Sequence, residues 1–455
     1  MRRVLVANRG EIAVRVVRAC FDEHLETVLA VSQADTDSMA ARLADHIVVI
    51  GPPAAAESYL SVERVITAAI TTGCDSVHPG YGFLSERPEL AQACEDNDLV
   101  FIGPPAAVMQ RSGDKLQARA MAEKLGIPTG SGTPGLIDAD DAVAAAERLD
   151  LFPCLIKASA GGGGRGMTIA RSSEELRASF LTSSQEAERA FGDGTLYLER
   201  LVERARHVEV QILADRHGNV IHLGERDCST QRRYQKLIEE APAIGLPEEV
   251  LTSVRGSAVR LAVALGYVGA GTVEFLVDVD RGDYLFLELN ARVQVEHPVT
   301  EMVTGIDIVR EQLRIARGEL LSVTQEEVRL DGHSLECRVN AEDPRRGFLP
   351  SPGRIVRWTA PQGQGVRVDT FAETGASVSP YYDSMIAKVI VTAATRAEAI
   401  DLMARALSKT KVDGLSTTIP FHLAVLSHAR FRQEPVTTRW VEDEFLPAWL
   451  QGVDS

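Results

Sequence analysis

Lysine is scarce in this chain. Of 48 basic residues only seven are lysine, at positions 115, 124, 157, 236, 388, 409 and 411. Arginine serves wherever a positive charge suffices, so each lysine is a hint that a compact ammonium was wanted, as at phosphate oxygens. Chance accounts for Lys124, Lys409 and Lys411; Lys157 abuts a run of glycines and Lys115 follows the turn-like RSGD, which gives those two a sharper meaning. Positive charge as a whole is deficient. A formal charge of -16 over 455 residues argues against nucleic acid or an anionic membrane as a general partner, so any anion site must be a local basic cluster. The six cysteines (20, 74, 94, 154, 228 and 337) form no C-x-x-C pair and no metal-ligand spacing, which predicts free thiols in a reducing, cytoplasmic setting. No apolar run approaches a membrane span, and VLVA after MRR is too short for a signal sequence. There is no internal repeat.

What is present is an ordinary globular composition, 45% hydrophobic and 25% charged, in a chain long enough for two or three domains. RRVLVAN, TVLAVSQ, ADHIVVI, DSVHPG and LVFIGP read as strands, and GEIAVRVVRACFD and SVERVITAAITTG as helices between them. This alternation predicts an α/β domain built on a doubly wound parallel sheet. The turn Asn8-Arg9-Gly10-Glu11 sits where such folds bind ligands but lacks the dinucleotide glycines, so it reads as structural with at most a contributory role. A helix is expected from Lys115 to about Leu125, then the breaker GIPTGSGTPG, a small α/β unit over roughly 131–202, and mixed strands and helices to about residue 445.

KASAGGGGRGM, Lys157 to Met167, has two readings. A glycine run is most often a linker, but the flanks LFPCLIKAS and MTIAR are short, apolar and strand-like. That favours a hairpin whose bare turn lets backbone N–H groups approach an anion. Gly161, Gly163 and Gly166 satisfy G-x-G-x-x-G without opening a helix, and no Lys-Ser/Thr follows as a Walker A requires.

The strongest local pattern is GTVEFLVDVDRGDYLFLELNARVQVEHP, Gly271 to Pro298. Two alternating runs flank Asp280-Arg281-Gly282, the signature of a hairpin. A turn centred on Arg281 sets Glu274 opposite Glu288, and strand alternation then puts Asn290, Arg292, Gln294 and Glu296 on the same face. A solvated polar face is the default explanation of such alternation. Against it, this face has no lysine or serine, and two carboxylates plus an amide make an oxygen donor set suited to Mg²⁺ beside phosphate. The following Arg and Glu suit an anion clamp and a general base.

Together KASAGGGGRGM, EVQILADRHGNVIHLGERDCSTQRRYQK, the Glu274/Glu288/Asn290 set and NARVQVEHPVTEM resemble the ATP-grasp fold, and more narrowly the biotin carboxylases. ANRGEIAVRV, HPGYGFLSE, FIGP, RVNAEDP and LPSPG extend the resemblance over nearly the whole chain. It implies an N-terminal domain (1–114), an ATP-grasp region (115–316) with a mobile lid at about 131–202, and a larger mixed-sheet catalytic domain (203–445) that includes a C-terminal part from about 332, with a tail at 446–455. It implies ATP-dependent carboxylation of biotin by bicarbonate through carboxyphosphate, the first half-reaction of an acetyl-CoA or other acyl-CoA carboxylase. Lys115, Lys157, Gly161, Gly162, Gly163, Gly164 and Met167 would hold ATP, with Glu199, Arg200, Leu201 and Val202 as the adenine hinge and His207, Gln231, Tyr234 and Leu276 along the nucleotide. Glu274, Glu288 and Asn290 would bind two Mg²⁺ or Mn²⁺ ions. Lys236, Arg292, Gln294 and the Val295 backbone would seat bicarbonate, Glu296 would deprotonate it, and Arg338 would stabilise the biotin enolate.

On their own residues, Arg338 reads first as a salt-bridged arginine at the edge of the core, His207 equally as a satisfied strand histidine, and His297 as structural. Many relatives carry histidine where Tyr234 stands, and some carry a further glycine near Ser159-Ala160. No lysine is flanked by methionines, the mark of a biotinylated carrier. The resemblance therefore implies a stand-alone subunit, commonly a homodimer, that receives biotin from a separate carrier protein and works with a carboxyltransferase. Another ATP-grasp ligase, or a non-catalytic nucleotide-binding protein, are the competing readings.

Overall fold

The computed structural model describes residues 1–130, 132–159 and 167–452. Strand β1 (Arg3–Val6) alternates apolar side chains into two different cores, Val4 and Val6 to one side and Leu5 to the other. Helix α1 (Gly10–Asp22) follows, then β2 (Glu26–Ser32), β3 (His46–Gly51), β4 (Ser76–His78) and β5 (Val100–Phe101). These strands form a parallel sheet in the order β3-β2-β1-β4-β5, the doubly wound arrangement that the alternation predicts.

The turns at the carboxyl ends of β1 and β4 are tied together. Asn8 Nδ2 donates to the carbonyls of Pro79 (2.7 Å) and Tyr81 (2.8 Å). Gly80, at φ +62°, lies so close that a Cβ there would stand 2.8 Å from the Asn8 amide nitrogen, which explains a glycine at this point of HPGYG. Arg9 is spent on a buried pair with Asp35 (2.8 and 2.9 Å) and stacks over the Tyr382 ring at 4.1 Å. The crevice where a doubly wound sheet would take a nucleotide is thus packed with the protein's own side chains, as the missing dinucleotide glycines foretell.

Helix α2 (Lys115–Lys124) leads to a small unit of α3 (Ala139–Arg148), β6 (Cys154–Ala158), β7 (Thr168–Ala170), α4 (Ser173–Phe191) and β8 (Leu196–Arg200). Its three strands pair in the antiparallel order β7-β6-β8. Ile156, Ala158, Leu176, Phe180, Leu196 and Leu198 form a core of its own, separate from the two larger ones among the described residues. The glycines at 161–164 lie outside the described residues.

An eight-stranded sheet makes up the rest. Its strands are β9 (Ala205–Ala214), β10 (Val220–Arg232), β11 (Gln235–Ala241), β12 (Gly269–Asp278), β13 (Asp283–Asn290), β14 (His333–Asn340), β15 (Val366–Thr370) and β16 (Met385–Ala393), in the order β13-β12-β9-β10-β11-β14-β16-β15. Where the resemblance implies a mixed sheet, every strand pair in this one is antiparallel. Short turns join β9 to β10, β10 to β11 and β12 to β13, and short turns between neighbouring strands permit only antiparallel pairing. Helices α5 (Glu248–Leu265) and α6 (His297–Thr304) pack against this sheet. All six cysteines are buried and free, and no helix among the described residues is long and apolar enough to cross a membrane.

Candidate active site

Beside the turn joining β12 to β13, Asp278 faces Asp283 and Val277 faces Tyr284. Continued unchanged, that register would set Glu274 against Leu287 and turn Glu288 to the other face. The register shifts by one between Glu274 and Phe275, so that Leu287 is passed over and Glu274 faces Glu288, with Thr272 facing Asn290. The two carboxylates are therefore paired across the strands as expected, through a β-bulge that the sequence reading did not include.

The strand ends at Asn290. Arg292, Gln294 and Glu296 do not stand on one face by strand alternation; they belong to a non-strand link leading into α6, which opens with Pro298 in its first turn. Hydrogen bonds shape the link. Arg292 donates to Gln294 Oε1 (2.7 Å) and Asn290 Oδ1 (3.2 Å), and the His297 ring meets the Gln294 carbonyl at 2.7 Å.

These residues open on a cavity of about 830 Å³, within the range of small-molecule sites. Every site residue expected from the sequence, apart from the glycines outside the described residues, lines it. At its centre Lys236, from β11, donates to Glu296 Oε1 (2.6 Å), Glu274 Oε1 (3.0 Å) and Glu209. Burial alone would discharge this ammonium, but the three carboxylates outweigh it and hold its pKa well above the ordinary lysine value. Glu296 is 1% exposed. Burial pushes its carboxyl up, yet Lys236, Arg338 and Arg226 together hold it well below the usual range. Arg338 grips it from the other side, donating to Glu296 Oε2 (2.8 Å) and to Glu239 Oε1 (2.6 Å).

Two more lysines enter elsewhere. Lys115, at the start of α2, stands 3.6 Å from Glu288 Oε2, and Lys157, on β6, pairs with Glu199 of the neighbouring β8. Leu201 and Val202 follow β8, while Met167 and Leu276 add apolar wall. His207 Nε2 lies 3.0 Å from Glu274 Oε2; burial would keep the ring neutral, but Glu274 raises its pKa. Gln231 is buried at the end of β10, and Tyr234, at φ +62° in the following turn, is 48% exposed.

The donor set fits a hard divalent cation. Glu274 and Glu288 offer carboxylate oxygens to one space, and Glu288 keeps part of its surface open. Asn290 turns Nδ2 to Glu274 (3.0 Å) and accepts Arg292 at Oδ1 (3.2 Å), which leaves the amide oxygen a second lone pair to offer a cation. Two further convergences, His207/Glu209/Glu274 and Glu209/Cys228/Glu296, surround the Lys236 ammonium, which already neutralises their oxygens.

Sequence reasoning missed the groups behind this surface. Glu209 and Arg226 are wholly buried partners (2.6 Å), and Arg226 also donates to Gln211, Thr300 and Thr272. Glu239 and Lys388, the latter against the Val295 carbonyl (2.8 Å), complete the set, and exposed Glu86 meets Arg292 (2.9 Å) from outside. Because β9 is buried at every position, the Glu209 charge inside it must have a partner.

A three-stranded unit and a large antiparallel sheet that share a cavity, with lysines at both sides and paired carboxylates on the sheet, define an ATP-grasp protein. Residues 1–109 match the family model described as biotin carboxylase, N-terminal domain; residues 114–324 match carbamoyl-phosphate synthase L chain, ATP binding domain; residues 336–443 match biotin carboxylase C-terminal domain. The chain is 48% identical to biotin carboxylase 1 of Bacillus subtilis over 443 residues, 97% of this chain and 98% of that one. It is 47% identical to the biotin carboxylase of Haemophilus influenzae over 444 residues, again 97% of this chain and 98% of that one. Among solved structures, the biotin carboxylase domain dimer of Hydrogenobacter thermophilus 2-oxoglutarate carboxylase, in complex with MgADP, ADP and bicarbonate, superposes with a TM-score of 0.94 at 44% identity, covering 99% of this chain and 98% of that one. The chain belongs to the biotin carboxylase family.

Proposed function

We propose that this protein carboxylates biotin at the expense of ATP, with bicarbonate as the carbon source. Lys115 and Lys157 hold the ATP phosphates, the hinge Glu199–Val202 seats the adenine, and the segment 131–202 acts as a lid. Bicarbonate sits among Lys236, Arg292, Gln294 and the Val295 backbone. Glu296 takes its proton, the freed oxygen attacks the γ-phosphorus, the bond to the bridging oxygen breaks, and ADP leaves carboxyphosphate behind. Carboxyphosphate separates into CO₂ and phosphate. Phosphate removes the N1′ proton of biotin, and the ureido anion, stabilised by Arg338, attacks CO₂. Mg²⁺ or Mn²⁺ at Glu274, Glu288 and Asn290 would neutralise phosphate oxygens.

The observation that carries this reading is the grip of Lys236 and Arg338 on the two oxygens of one buried carboxylate, Glu296. ATP binding alone requires neither cation. Near end-to-end similarity to proteins named biotin carboxylase supports a cytoplasmic protein served by a separate biotin carrier and a carboxyltransferase, and a dimeric relative supports a homodimer. ADP release is the test, with Mg-ATP present and bicarbonate and free biotin each added or withheld. Release should need bicarbonate, rise with biotin, and fall at least about 100-fold in Glu296→Gln with ATP binding kept. Release indifferent to biotin would favour a different ATP-grasp ligase.

A further inference from the structure

Lys388 is wholly buried and stands one residue removed from the cavity, against Val295 and Arg338, which line it. It sits on β16 directly across from Arg338 on β14, so the two side chains share a sheet face. Arg338 holds the Glu296 carboxylate (2.8 Å), and Lys388 donates to the carbonyl of Val295, the preceding residue, at 2.8 Å. Two adjacent cations thus hold the same short link, one by its side chain and one by its backbone.

We infer that Lys388 is the positioning residue for Glu296, fixing the peptide that carries the base while Glu11 of the N-terminal domain anchors the lysine. This rests on reading Glu296 as the base. The Glu11 carboxylate lies 3.2 Å from Lys388 Nζ and accepts the Tyr81 hydroxyl, and Tyr81 itself lines the cavity. The other charged groups facing Lys388 are Asp369 on β15 (4.0 Å to its nearer oxygen), Glu336 and Arg338 on β14, Arg367 on β15, and His297 on α6. Asp369 has its own partner in Arg367 (2.7 Å), and Glu336 faces Arg338 as well as Lys388, which leaves Glu11 as the carboxylate whose facing cation is Lys388. The turn Asn8-Arg9-Gly10-Glu11 thereby gains its contributory role: it braces the base from behind without touching substrate. A free link would let the base wander by the ångström or so that costs about 100-fold in a positioned reaction.

The test uses the full chain, with Lys388→Met and the charge-balanced double variant Lys388→Met/Glu11→Gln, which also removes the unmatched Glu11 charge if the single variant folds poorly. Thermal melts establish folding, and ADP release with bicarbonate and free biotin gives kcat and KM. The expected result is a fall in kcat of roughly 10- to 100-fold with KM for ATP within about threefold of wild type. Added to Glu296→Gln, the same change should cost less than about twofold, because its effect runs through Glu296; a merely structural role would multiply. Wild-type kcat in the folded double variant, or full multiplication on top of Glu296→Gln, overturns the positioning role. A wild-type protein that never responds to biotin overturns the underlying reading, and this inference with it.

Discussion

Removing Arg338 should have a consequence that depends on pH, because of what it leaves behind. Arg338 holds two carboxylates, Glu296 and Glu239. Glu296 keeps Lys236 as a partner, whereas Glu239 is 0% exposed and Arg338 is its hydrogen-bonded cation. Burial, helped by the nearby Glu296 charge, raises the Glu239 carboxyl from 4.5 to about 7 although Arg338 offsets part of the rise. Above its ordinary value the unfolded chain has released this proton while the folded chain keeps it, so folding stability declines with pH by about 1.4 kcal/mol per unit until the folded group ionises near 7. In Arg338→Met the folded pKa moves higher and the decline continues past 7. Each pH unit by which ionisation is deferred past 7 costs a further ~1.4 kcal/mol, a limit of about 3 kcal/mol by the time the solution reaches pH 9.

The assay is chemical unfolding of wild type and variant from pH 6 to 9, beside ADP release with biotin. A modest stability gap at pH 6 should widen by up to about 3 kcal/mol at pH 9. Biotin-dependent kcat should fall at least about 100-fold, as for loss of a charged transition-state donor, with KM for ATP little changed. A gap that stays constant across this range would refute the electrostatic account of Glu239. Unchanged turnover would refute the role given to Arg338.

Glu288→Gln should raise the Mg²⁺ concentration for half-maximal ADP release by about tenfold or more, read in a metal titration in which wild type sets the reference. Arg396→Met tests a purely structural pair. Arg396 meets both oxygens of buried Glu240 (2.6 and 2.8 Å) and, with His333, overcomes burial to lower its carboxyl to about 2. That stability is present above the unfolded value near 4.5 and is lost as pH falls toward 2, so unfolding free energies should differ by about 3 kcal/mol at pH 7 and by about 1 kcal/mol less at pH 4.

The fold was legible where one face of an element decides its pattern. Helix Gly10–Asp22 stands on the residues its apolar spacing marks, and the five parallel strands follow from apolar runs between turns. The Glu274–Glu288 pair was legible too, but its register depends on a bulge, because periodicity fixes which residues share a face and not where a strand skips one. The antiparallel order of the large sheet and the charges behind the cavity were not legible, since they depend on which strands become neighbours.

The scarcity of lysine reached further than the motifs did. The three lysines ascribed to chance, 124, 409 and 411, lie away from the cavity, and 115, 157 and 236 line it. Lys388 is the exception, because MIAKVIVTA looks like core strand and nothing local says what its ammonium meets. The choice of lysine at 236 and 388 has one physical cause. Lys388 is buried and Lys236 nearly so, and each must satisfy acceptors arriving from different elements: three carboxylates at Lys236, a peptide carbonyl and a carboxylate at Lys388. A point charge with three rotatable donors can do this, whereas a planar fork needs its acceptors in one plane. In a chain that otherwise uses arginine, a lysine inside an apolar strand is therefore a signal of converging acceptors, and it can be read without any motif.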